Sequence, residues 1–502
     1  MTSIDATLEA ALTAHGEDRA DVAFELYESV LGERPDYLHP SNRPGDASFD
    51  RPRKLASKDI LAAVIDRLRF SDERAAESWE LLGGFLQLAG DPSAAVDACK
   101  SALKMATATP EAALSLGLAH LDMHEFDQAV SVLSDAAARY PKNVRLLNHL
   151  GGAQWVASKF GDAIESFQKA GGPAFPVALA NLGALLREAR RFEDAIGVFQ
   201  RLLEQDPAFP KAACNLCMTY MAIGKDDDAV AAGRRAVEDV AGPDFDDYNC
   251  FGGALLANDE HAAALDAFET SLSLNPRGVT ALAMINGALA GVGQNDEVRR
   301  LLDFGRFMMP LTVRTPADYS DLAAFNNAIY DHAVNFPDQP GNERQTVNLV
   351  DDAQGPMIEL ERIINEAVAR YIAQLPDDSN HPYTAYKPER WDLFVWATRA
   401  KTFEYQFPHI HPHGWVSGIY YPRVPAFTAP LDEAGQAVEF PGHVEFYRFL
   451  QFSQRPVVSE SVRIPAEEGL MVLFPSYFHH GINPFESETN RMSIAFNAMP
   501  RD

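Results

Sequence analysis

The sequence predicts a multidomain α + β protein, with a helical solenoid in its N-terminal part and an antiparallel jelly roll with flanking helices in its C-terminal part. At 502 residues the chain is too long for a single hydrophobic core. A pattern of small residues recurs at about 34 residues in the first part. Short β-branched and aromatic segments, separated by Pro and Gly, fill the last part. We therefore divide the chain into an N-terminal helical segment at 1–75, a solenoid at 76–304 and a β domain at 305–502.

Each predicted solenoid unit carries a small residue in its first helix, an alanine twelve positions later and, in most units, an apolar residue four positions further on. Six units fit this register: Gly83/Ala95, Gly117/Ala129/Leu133, Gly151/Ala163/Phe167, Gly183/Ala195/Phe199, Cys217/Ala229 and Gly252/Ala264/Phe268. A seventh at 279–303 fits poorly, a partial unit opens the chain, and 36–58 read as a loop or break. The pattern resembles the tetratricopeptide repeat, whose two helices cross closely at the small residues.

The resemblance implies a concave surface that binds a protein or peptide, while self-association into a homo-oligomer or bracing of the next domain is the alternative use of such repeats. Asparagines recur at matching positions of successive first helices: Asn148, Asn181, Asn215 and Asn249. Two interpretations are equally open. Either these amides bond an extended peptide backbone on the concave face, or they form a solvated polar stripe.

The net charge of −28 argues against nucleic acid as a partner, because phosphates would be repelled. No run of eighteen apolar residues occurs, and the N-terminus lacks the features of a signal peptide, so we expect no membrane segment and a cytoplasmic location. The four cysteines all fall in the helical part, and no disulfide framework is expected. Cys214 and Cys217 have metal-type spacing, but helix packing is the favoured interpretation.

Beyond about residue 305 the period disappears, and helices are predicted at 317–336 and 355–374, where they would cover one face of the jelly roll. Strand-like segments then follow one another at 391–399, 415–424, 442–450, 460–466, 469–475 and 491–499. Trp415 and the aromatic segment 403–407 fit the core of this domain better than the mouth of a binding site.

Three segments of this domain carry candidate chemistry: HIHPHGWVSGIYY (409–421), FPSYFHHGINPFES (474–487) and NRMSIAFN (490–497). His409 and His411 would point the same way from an extended strand, and His480 arrives from a distant one. Arg491 follows, with Ser493 on the same strand face. This is the layout of an iron site with an anchored carboxylate cosubstrate, since arginine offers a planar two-pronged donor.

Residues 305–500 resemble the iron(II)- and 2-oxoglutarate-dependent oxygenases, through the H-x-H-P, S-G-x-Y-Y, F-P-S-Y and R-x-S-I segments. The resemblance implies that His409, His411 and His480 bind Fe(II). It also implies that Arg491 and Ser493 bind 2-oxoglutarate. Tyr420 or Tyr421 could add a further bond, and strand alternation allows only one of them to face inward.

His411 stands where the family usually has Asp or Glu, so two possibilities stay open. Either the site is a three-histidine variant, or His411 is not a ligand and another group completes the shell. His413 and His479 are competing imidazoles that the resemblance leaves near the site or at the surface.

The resemblance implies an Fe(II)- and 2-oxoglutarate-dependent dioxygenase that uses O2 to hydroxylate a protein or peptide side chain held by the repeats. Two alternatives remain. The protein could be a small-molecule biosynthetic oxygenase whose repeats serve assembly, or a catalytically inactive repeat adaptor.

Overall fold

A computed structural model shows two compact units, Met1–Gln205 and Asp206–Asp502, which we describe separately. The structure describes residues 3–16, 19–32, 58–69, 75–88, 91–105, 109–172, 175–209, 211–240, 242–339, 342–351, 353–400, 406–429, 439–448 and 460–501. The loop or break predicted at 36–58 lies, apart from Lys58, outside these residues. The domain division at 75/76 and 304/305 remains a prediction.

The first unit is built of helices that pack in successive pairs, α4 on α5 and so on to α10 on α11. Their bounds are α1 (Ser3–Gly16), α2 (Ala20–Gly32), α3 (Lys58–Arg69), α4 (Ala75–Leu88), α5 (Pro92–Leu103), α6 (Pro110–Asp122), α7 (Phe126–Arg139), α8 (Val144–Val156), α9 (Phe160–Ala170), α10 (Pro176–Glu188) and α11 (Phe192–Gln205). Several begin with a cap that satisfies the first free N–H groups, such as Asn143, whose side chain accepts from Leu146 N.

The recurring glycines are explained by the closeness of the paired helices. A Cβ added at Gly151 would lie 2.8 Å from the Phe167 ring, and one at Gly183 would lie 2.6 Å from the Phe199 ring. Gly117 stands in the same relation to Leu133. The small residue and the apolar residue sixteen positions later therefore contact each other across the helix pair. At these three positions only glycine leaves room for the partner side chain.

The second unit begins with further paired helices: α12 (Ala212–Ala222), α13 (Asp226–Glu238), α14 (Phe245–Ala257), α15 (His261–Leu274), α16 (Val279–Gly291), α17 (Asn295–Leu301) and α18 (Phe304–Phe307). A disulfide joins Cys214 of α12 to Cys250 of α14, with 5.8 Å between their Cα atoms. The sequence led us to expect no disulfide framework, and this bond corrects that expectation for Cys214 and Cys250. Cys217 is a free, buried thiol.

The asparagine stripe does not face an open groove. Asn148, Asn181 and Asn215 are each 0% exposed. In the first unit the Asn181 side-chain amide donates to Asn148 Oδ1 at 2.8 Å, and in the second the Asn215 amide donates to the Lys211 carbonyl at 2.9 Å. Both interpretations of the stripe are therefore wrong for these three residues, which serve as internal hydrogen-bond partners.

The C-terminal part of the second unit forms two antiparallel sheets with α19 (Leu322–Val334) and α20 (Pro356–Gln374) beside them. The strands are β1 (Met309–Thr312), β2 (Asp338–Gln339), β3 (Asn342–Thr346), β4 (Trp391–Ala400), β5 (Gln406–His409), β6 (Val416–Arg423), β7 (Val444–Arg448), β8 (Glu460–Ile464), β9 (Leu470–Pro475), β10 (His480–Ile482) and β11 (Arg491–Pro500). Five of them, β1, β2, β3, β5 and β10, were not among the predicted strand segments.

The strand order is β1-β9-β6-β11-β4-β3-β2 in the larger sheet and β5-β10-β7-β8 in the smaller one. From β4 onward the chain passes repeatedly between the two sheets, which is the connectivity that the jelly-roll prediction requires. Helix α19 packs on β6, so this strand is covered on both faces and Val416–Pro422 are all buried. The interior between the sheets holds the candidate site residues.

Among the described residues, no helix combines the length and the apolar character needed to span a bilayer.

We predict opposite effects for two glycine substitutions in neighbouring helices. Gly183→Ala would force a methyl group against Phe199 and should lower the free energy of unfolding by about 1–3 kcal/mol. Gly197→Ala in α11 meets nothing within 4 Å and should raise it by about 0.5–1 kcal/mol, because alanine loses less backbone entropy in a helix. Thermal unfolding of full-length variants by circular dichroism checks both. Equal shifts in the two variants would contradict the close-contact explanation.

Candidate metal centre

Three histidines from separate elements meet between the two sheets. His409 is the last residue of β5 and pairs in antiparallel register with His480, the first residue of β10. Their rings and that of His411 present ligand atoms that all lie within 4.8 Å of one another. His480 is buried, whereas His409 and His411 are half-buried. Among the described residues this is the one cluster of this kind that could hold a metal ion.

His411 does not lie on the strand of His409, as the sequence had led us to expect. The strand ends at His409, and the His411 N–H donates to the Ser476 carbonyl at 3.0 Å just after β9. A turn follows, closed by the Gly414 N–H on the His411 carbonyl at 3.1 Å. A Cβ at Gly414 would come 2.5 Å from Ser476 Oγ, so glycine is required where the turn crosses β9. Thus the larger sheet, rather than strand alternation, positions His411.

Each of the three imidazoles has its Nδ1 atom occupied by an oxygen acceptor. Nδ1 of His409 is 3.0 Å from the Phe407 carbonyl, and Nδ1 of His480 is 3.0 Å from the Phe478 carbonyl. Nδ1 of His411 is 2.7 Å from Oδ1 of Asn497. An acceptor at Nδ1 fixes the proton there and leaves Nε2 with a free lone pair. The Nε2 atoms of His409 and His411 are 3.3 Å apart, as convergent ligands would be.

Burial keeps these rings neutral, which metal ligation requires. It lowers the pKa of His409, and the bond to the Phe407 carbonyl only partly opposes this. The pKa of His411 falls to about 3, through burial first and the neighbouring His409 second. Burial also lowers the pKa of His480 well below its ordinary value. The cluster is therefore a set of three unprotonated nitrogen donors at neutral pH.

Arg491 is a buried cation that forms no salt bridge with the described residues. Its side chain is 0% exposed, and none of its three guanidinium nitrogens has a hydrogen-bond partner among the described residues. The Tyr421 ring lies beside it, with its centroid 5.0 Å from Cζ. Burial raises the pKa of Tyr421, and the Arg491 cation opposes the rise. An unpaired buried charge costs several kcal/mol, so this position calls for an anion.

The structure distinguishes the two candidate tyrosines. The Tyr421 hydroxyl faces the interior beside Arg491 and has no hydrogen-bond partner among the described residues. Tyr420 points the other way, and its hydroxyl donates to Asn326 Oδ1 of α19. Tyr420 thus forms a contact between sheet and helix, and of the two tyrosines it is Tyr421 that lies beside Arg491. Ser493, also buried, lies two residues after Arg491 on β11.

Sequence reasoning missed a group of polar residues behind His411. Ser417 on β6 and Ser476 after β9 are 0% exposed, and Asn497 on β11 is 8% exposed. Ser417 Oγ lies 2.8 Å from Asn497 Oδ1 and 2.7 Å from Ser476 Oγ. Strand alternation could have identified one of these residues, because it places Asn497 on the same face of β11 as Arg491 and Ser493.

Three further histidines are not members of the converging group. His479 is buried and its carbonyl accepts from Tyr447 N at 3.0 Å, while burial first and the neighbouring His409 second lower the pKa of its ring to about 4. His443 packs against Phe440, with 5.6 Å between ring centroids. His413 is half-buried in the turn after His411.

Two aromatic side chains of β4 lie next to His411 and to each other. The Trp396 ring is 5.5 Å from that of His411, and the Phe394 ring is 5.4 Å from Trp396, with both residues half-buried. Trp415 is not part of this wall, because it is 3% exposed and stacks on Tyr383 at 4.2 Å. Of the segment 403–407, residues 403–405 lie outside the described part of the chain, and Phe407 is 71% exposed.

Comparison with known protein families supports the resemblances that the sequence showed in both parts of the chain. Residues 394–497 match the model of a family described as "Putative 2OG-Fe(II) oxygenase". Residues 114–176 and 186–246 match two models described as tetratricopeptide repeat. One chain therefore combines matches to tetratricopeptide-repeat models in its N-terminal part with a match to a putative 2OG-Fe(II) oxygenase model in its C-terminal part. The multidomain α + β class and the family resemblance predicted from the sequence are confirmed.

The solved structures that match this chain have low sequence identity and low TM-scores. Pseudomonas aeruginosa PilF is 16% identical with a TM-score of 0.35, covering 42% of this chain and 96% of that one. A tetratricopeptide repeat protein from Parabacteroides merdae is 15% identical with a TM-score of 0.34, covering 57% and 99%. Yeast Tom70 is 15% identical with a TM-score of 0.39, covering 73% and 63%. No curated protein matches the sequence.

We predict that the Arg491 guanidinium destabilises the ligand-free protein. Arg491→Met should leave the free energy of unfolding unchanged or raise it by up to about 3 kcal/mol, because an uncompensated buried charge is removed. Arg448→Met is the matched control, since Arg448 donates to Glu460 Oε2 and to the Leu302 carbonyl, both at 2.7 Å. This control should lose about 1–3 kcal/mol. Thermal unfolding of both variants decides the matter, and a large loss in Arg491→Met would mean that Arg491 has a structural partner.

Proposed function

We propose that the protein is an Fe(II)- and 2-oxoglutarate-dependent dioxygenase that hydroxylates a protein or peptide side chain recruited by its repeats. The observation that carries the proposal is the combination of three convergent, neutral imidazoles with one buried guanidinium that has no hydrogen-bond partner in the described part of the same β domain. A metal ion fits the first and a carboxylate fits the second. The sequence match of residues 394–497 supports the same chemistry. The proposal keeps the cytoplasmic location expected from the sequence.

His409, His411 and His480 would hold the iron through their Nε2 atoms. The arrangement fits because Nδ1 of each ring already has an acceptor for its proton, and because burial keeps the rings neutral, with Nε2 unprotonated. Three ligands on one side leave the opposite positions open for cosubstrate and O2. When bound, iron, 2-oxoglutarate and O2 together supply an oxidation that hydroxylates a C–H bond while the cosubstrate becomes succinate and CO2.

Arg491 would bind the far carboxylate of 2-oxoglutarate with its two-pronged set of donors. The Tyr421 hydroxyl is the second donor that the interior offers, and Ser493 is a third on the strand of Arg491. A carboxylate here would remove the cost of the unpaired cation, so cosubstrate binding and stability of the domain are linked.

The substrate would approach the histidines along Trp396 and Phe394. These rings offer a half-exposed apolar wall beside His411, the kind of surface that orients a side chain and excludes water from the reacting atoms. The acidic charge of the chain favours a basic or neutral partner. The tetratricopeptide repeats support a protein partner, because such solenoids bind peptides and proteins.

We predict that succinate formation depends on His480 and Arg491. In the presence of Fe(II), 2-oxoglutarate and O2, the His480→Ala variant should release succinate at least about 100-fold more slowly than the wild type. Mutation of a residue that only hydrogen-bonds to a metal ligand already costs up to that factor, so loss of a ligand should cost no less. Arg491→Ala should raise the KM for 2-oxoglutarate by a similar factor. His443→Ala removes a ring that packs against Phe440 instead, and it should retain wild-type turnover. Equal turnover in all four proteins would refute the assignment, and no turnover in the wild type would favour the adaptor alternative.

We predict that the first unit serves recognition and not chemistry. Removing residues 1–205 leaves the second compact unit whole, whereas removing residues 1–300 would take away Arg299, which pairs with Glu460, and Arg300, whose carbonyl lies 3.3 Å from Nε2 of His381. The truncated protein should keep succinate release in the absence of added substrate, within about twofold. A protein fraction from cells should increase succinate release by the full chain, but it should not increase release by the truncated protein. Stimulation of both forms by a small-molecule fraction would instead indicate a biosynthetic oxygenase.

A further inference from the structure

A chain of hydrogen bonds runs behind His411 from one strand of the larger sheet to the next. Nδ1 of His411 is 2.7 Å from Asn497 Oδ1 and 3.2 Å from Ser417 Oγ. Ser417 Oγ is in turn 2.8 Å from Asn497 Oδ1 and 2.7 Å from Ser476 Oγ. The three partners belong to β11, β6 and the residue that follows β9, which are neighbours in the sheet.

The direction of these bonds follows from the donors that each group has. The Asn497 amide oxygen can only accept, so the Ser417 hydroxyl and the His411 Nδ1–H both donate to it. Ser417 then accepts from the Ser476 hydroxyl. If the Asn497 amide were reversed, its NH2 group would face Nδ1 of His411 and the ring proton would move to Nε2. That tautomer cannot bind a metal through Nε2.

His411 differs from the other two histidines in the kind of acceptor it has. His409 and His480 donate to backbone carbonyls, of Phe407 and Phe478, which the fold itself supplies. Asn497 is a side chain, so the tautomer of His411 depends on one amino acid. Asn497 is itself held by Ser417 across the β11–β6 pair, where the two residues are register partners.

We propose that Asn497, held by Ser417 and Ser476, is a positioning residue that fixes His411 as the Nδ1–H tautomer, and so makes an imidazole usable where related sites carry a carboxylate ligand. This inference rests on the proposed metal-binding function. A neutral amide acceptor sets the tautomer without adding charge, whereas a carboxylate in its place would also make the ring a stronger donor.

The test is an anaerobic titration of the full-length protein with Co(II), followed by the visible absorption of the bound ion. Asn497→Leu removes the acceptor at nearly the same volume and should weaken Co(II) binding about 10- to 100-fold. Asn497→Asp restores an oxygen that can only accept, and it should bind Co(II) at least as tightly as the wild type. Ser417→Ala removes one support of the amide and should weaken binding by about 3- to 10-fold.

Asn326→Leu is the matched control. Asn326 is a buried asparagine of the same unit, but it accepts from the Tyr420 hydroxyl on the outer side of β6 and does not contact the histidines. This variant should keep the wild-type Co(II) affinity even if its unfolding temperature falls. It separates the loss of a buried amide as such from the loss of the partner of His411.

The outcomes distinguish the inference from the function on which it rests. Tight Co(II) binding by the wild type and equal binding by Asn497→Leu would overturn the role of Asn497 and leave the metal site standing. No Co(II) binding by the wild type would overturn both. If Asn497→Leu does not fold, the comparison of Ser417→Ala with Asn497→Asp decides: similar affinities in these two variants would also overturn the role.

Discussion

The antiparallel pairing of β10 with β5 is the contact on which the site depends, because it sets His480 directly opposite His409. Register partners in an antiparallel pair bring their side chains within reach of one another, so the fold alone converges two imidazoles that are distant in sequence. Both strands are short, and each histidine ring is anchored to the carbonyl two residues before it. The orientation of these two imidazoles is therefore set by backbone geometry and by very few side chains. His411 is the exception, since it lies beyond the strand and relies on the larger sheet.

The interior between the two sheets is less stable than its burial suggests. It contains a fully buried guanidinium and a tyrosine hydroxyl without partners among the described residues, together with three imidazoles whose protonation is suppressed. A core built for stability alone would place apolar side chains here. Elsewhere in the same unit, the buried hydroxyl of Tyr371 donates to the Phe307 carbonyl at 2.8 Å. Around Arg491 and Tyr421, four donor atoms without a hydrogen-bond partner among the described residues lie together, and such a cluster indicates a binding site.

The sequence predicted the long helices and strands well, because each carries several residues of one period. The helices predicted at 317–336 and 355–374 correspond to α19 and α20, and the strand predicted at 391–399 corresponds to β4. The short strands β5 and β10 have too few residues to show alternation. The sequence nevertheless identified His409, His411 and His480, because the motif spacing identifies the residues independently of the strand boundaries. The sequence could not show to which face of the sheet each of these side chains points. The choice between Tyr420 and Tyr421, and the contacts of Asn497, depend on the register of β6 against β11, which spacing does not encode.

The same limit explains the two errors in the solenoid. The recurrence of asparagine gave the correct spacing, but spacing is equally compatible with a groove and with a buried contact between neighbouring helices. Asn181 and Asn148 form such a contact. Cys214 was compared with Cys217 because they are close in sequence, whereas the stacking of α12 and α14 brings Cys250 to it instead. Both errors arise because contacts between repeats join residues about one repeat apart, so the partner of a residue is found one period away.

A site of three neutral ligands has an electrostatic consequence for the proposed function. A ferrous ion held by imidazoles alone keeps its two positive charges, and the Arg491 cation adds a third inside a poorly hydrated interior. A dianionic cosubstrate supplies opposite charge to both at once, so metal and cosubstrate should each strengthen the binding of the other by the same factor. A carboxylate at position 411 would reduce this coupling, because it would neutralise part of the metal charge in advance. The replacement of an acid by His411 therefore favours joint assembly of the site over stable binding of the metal alone.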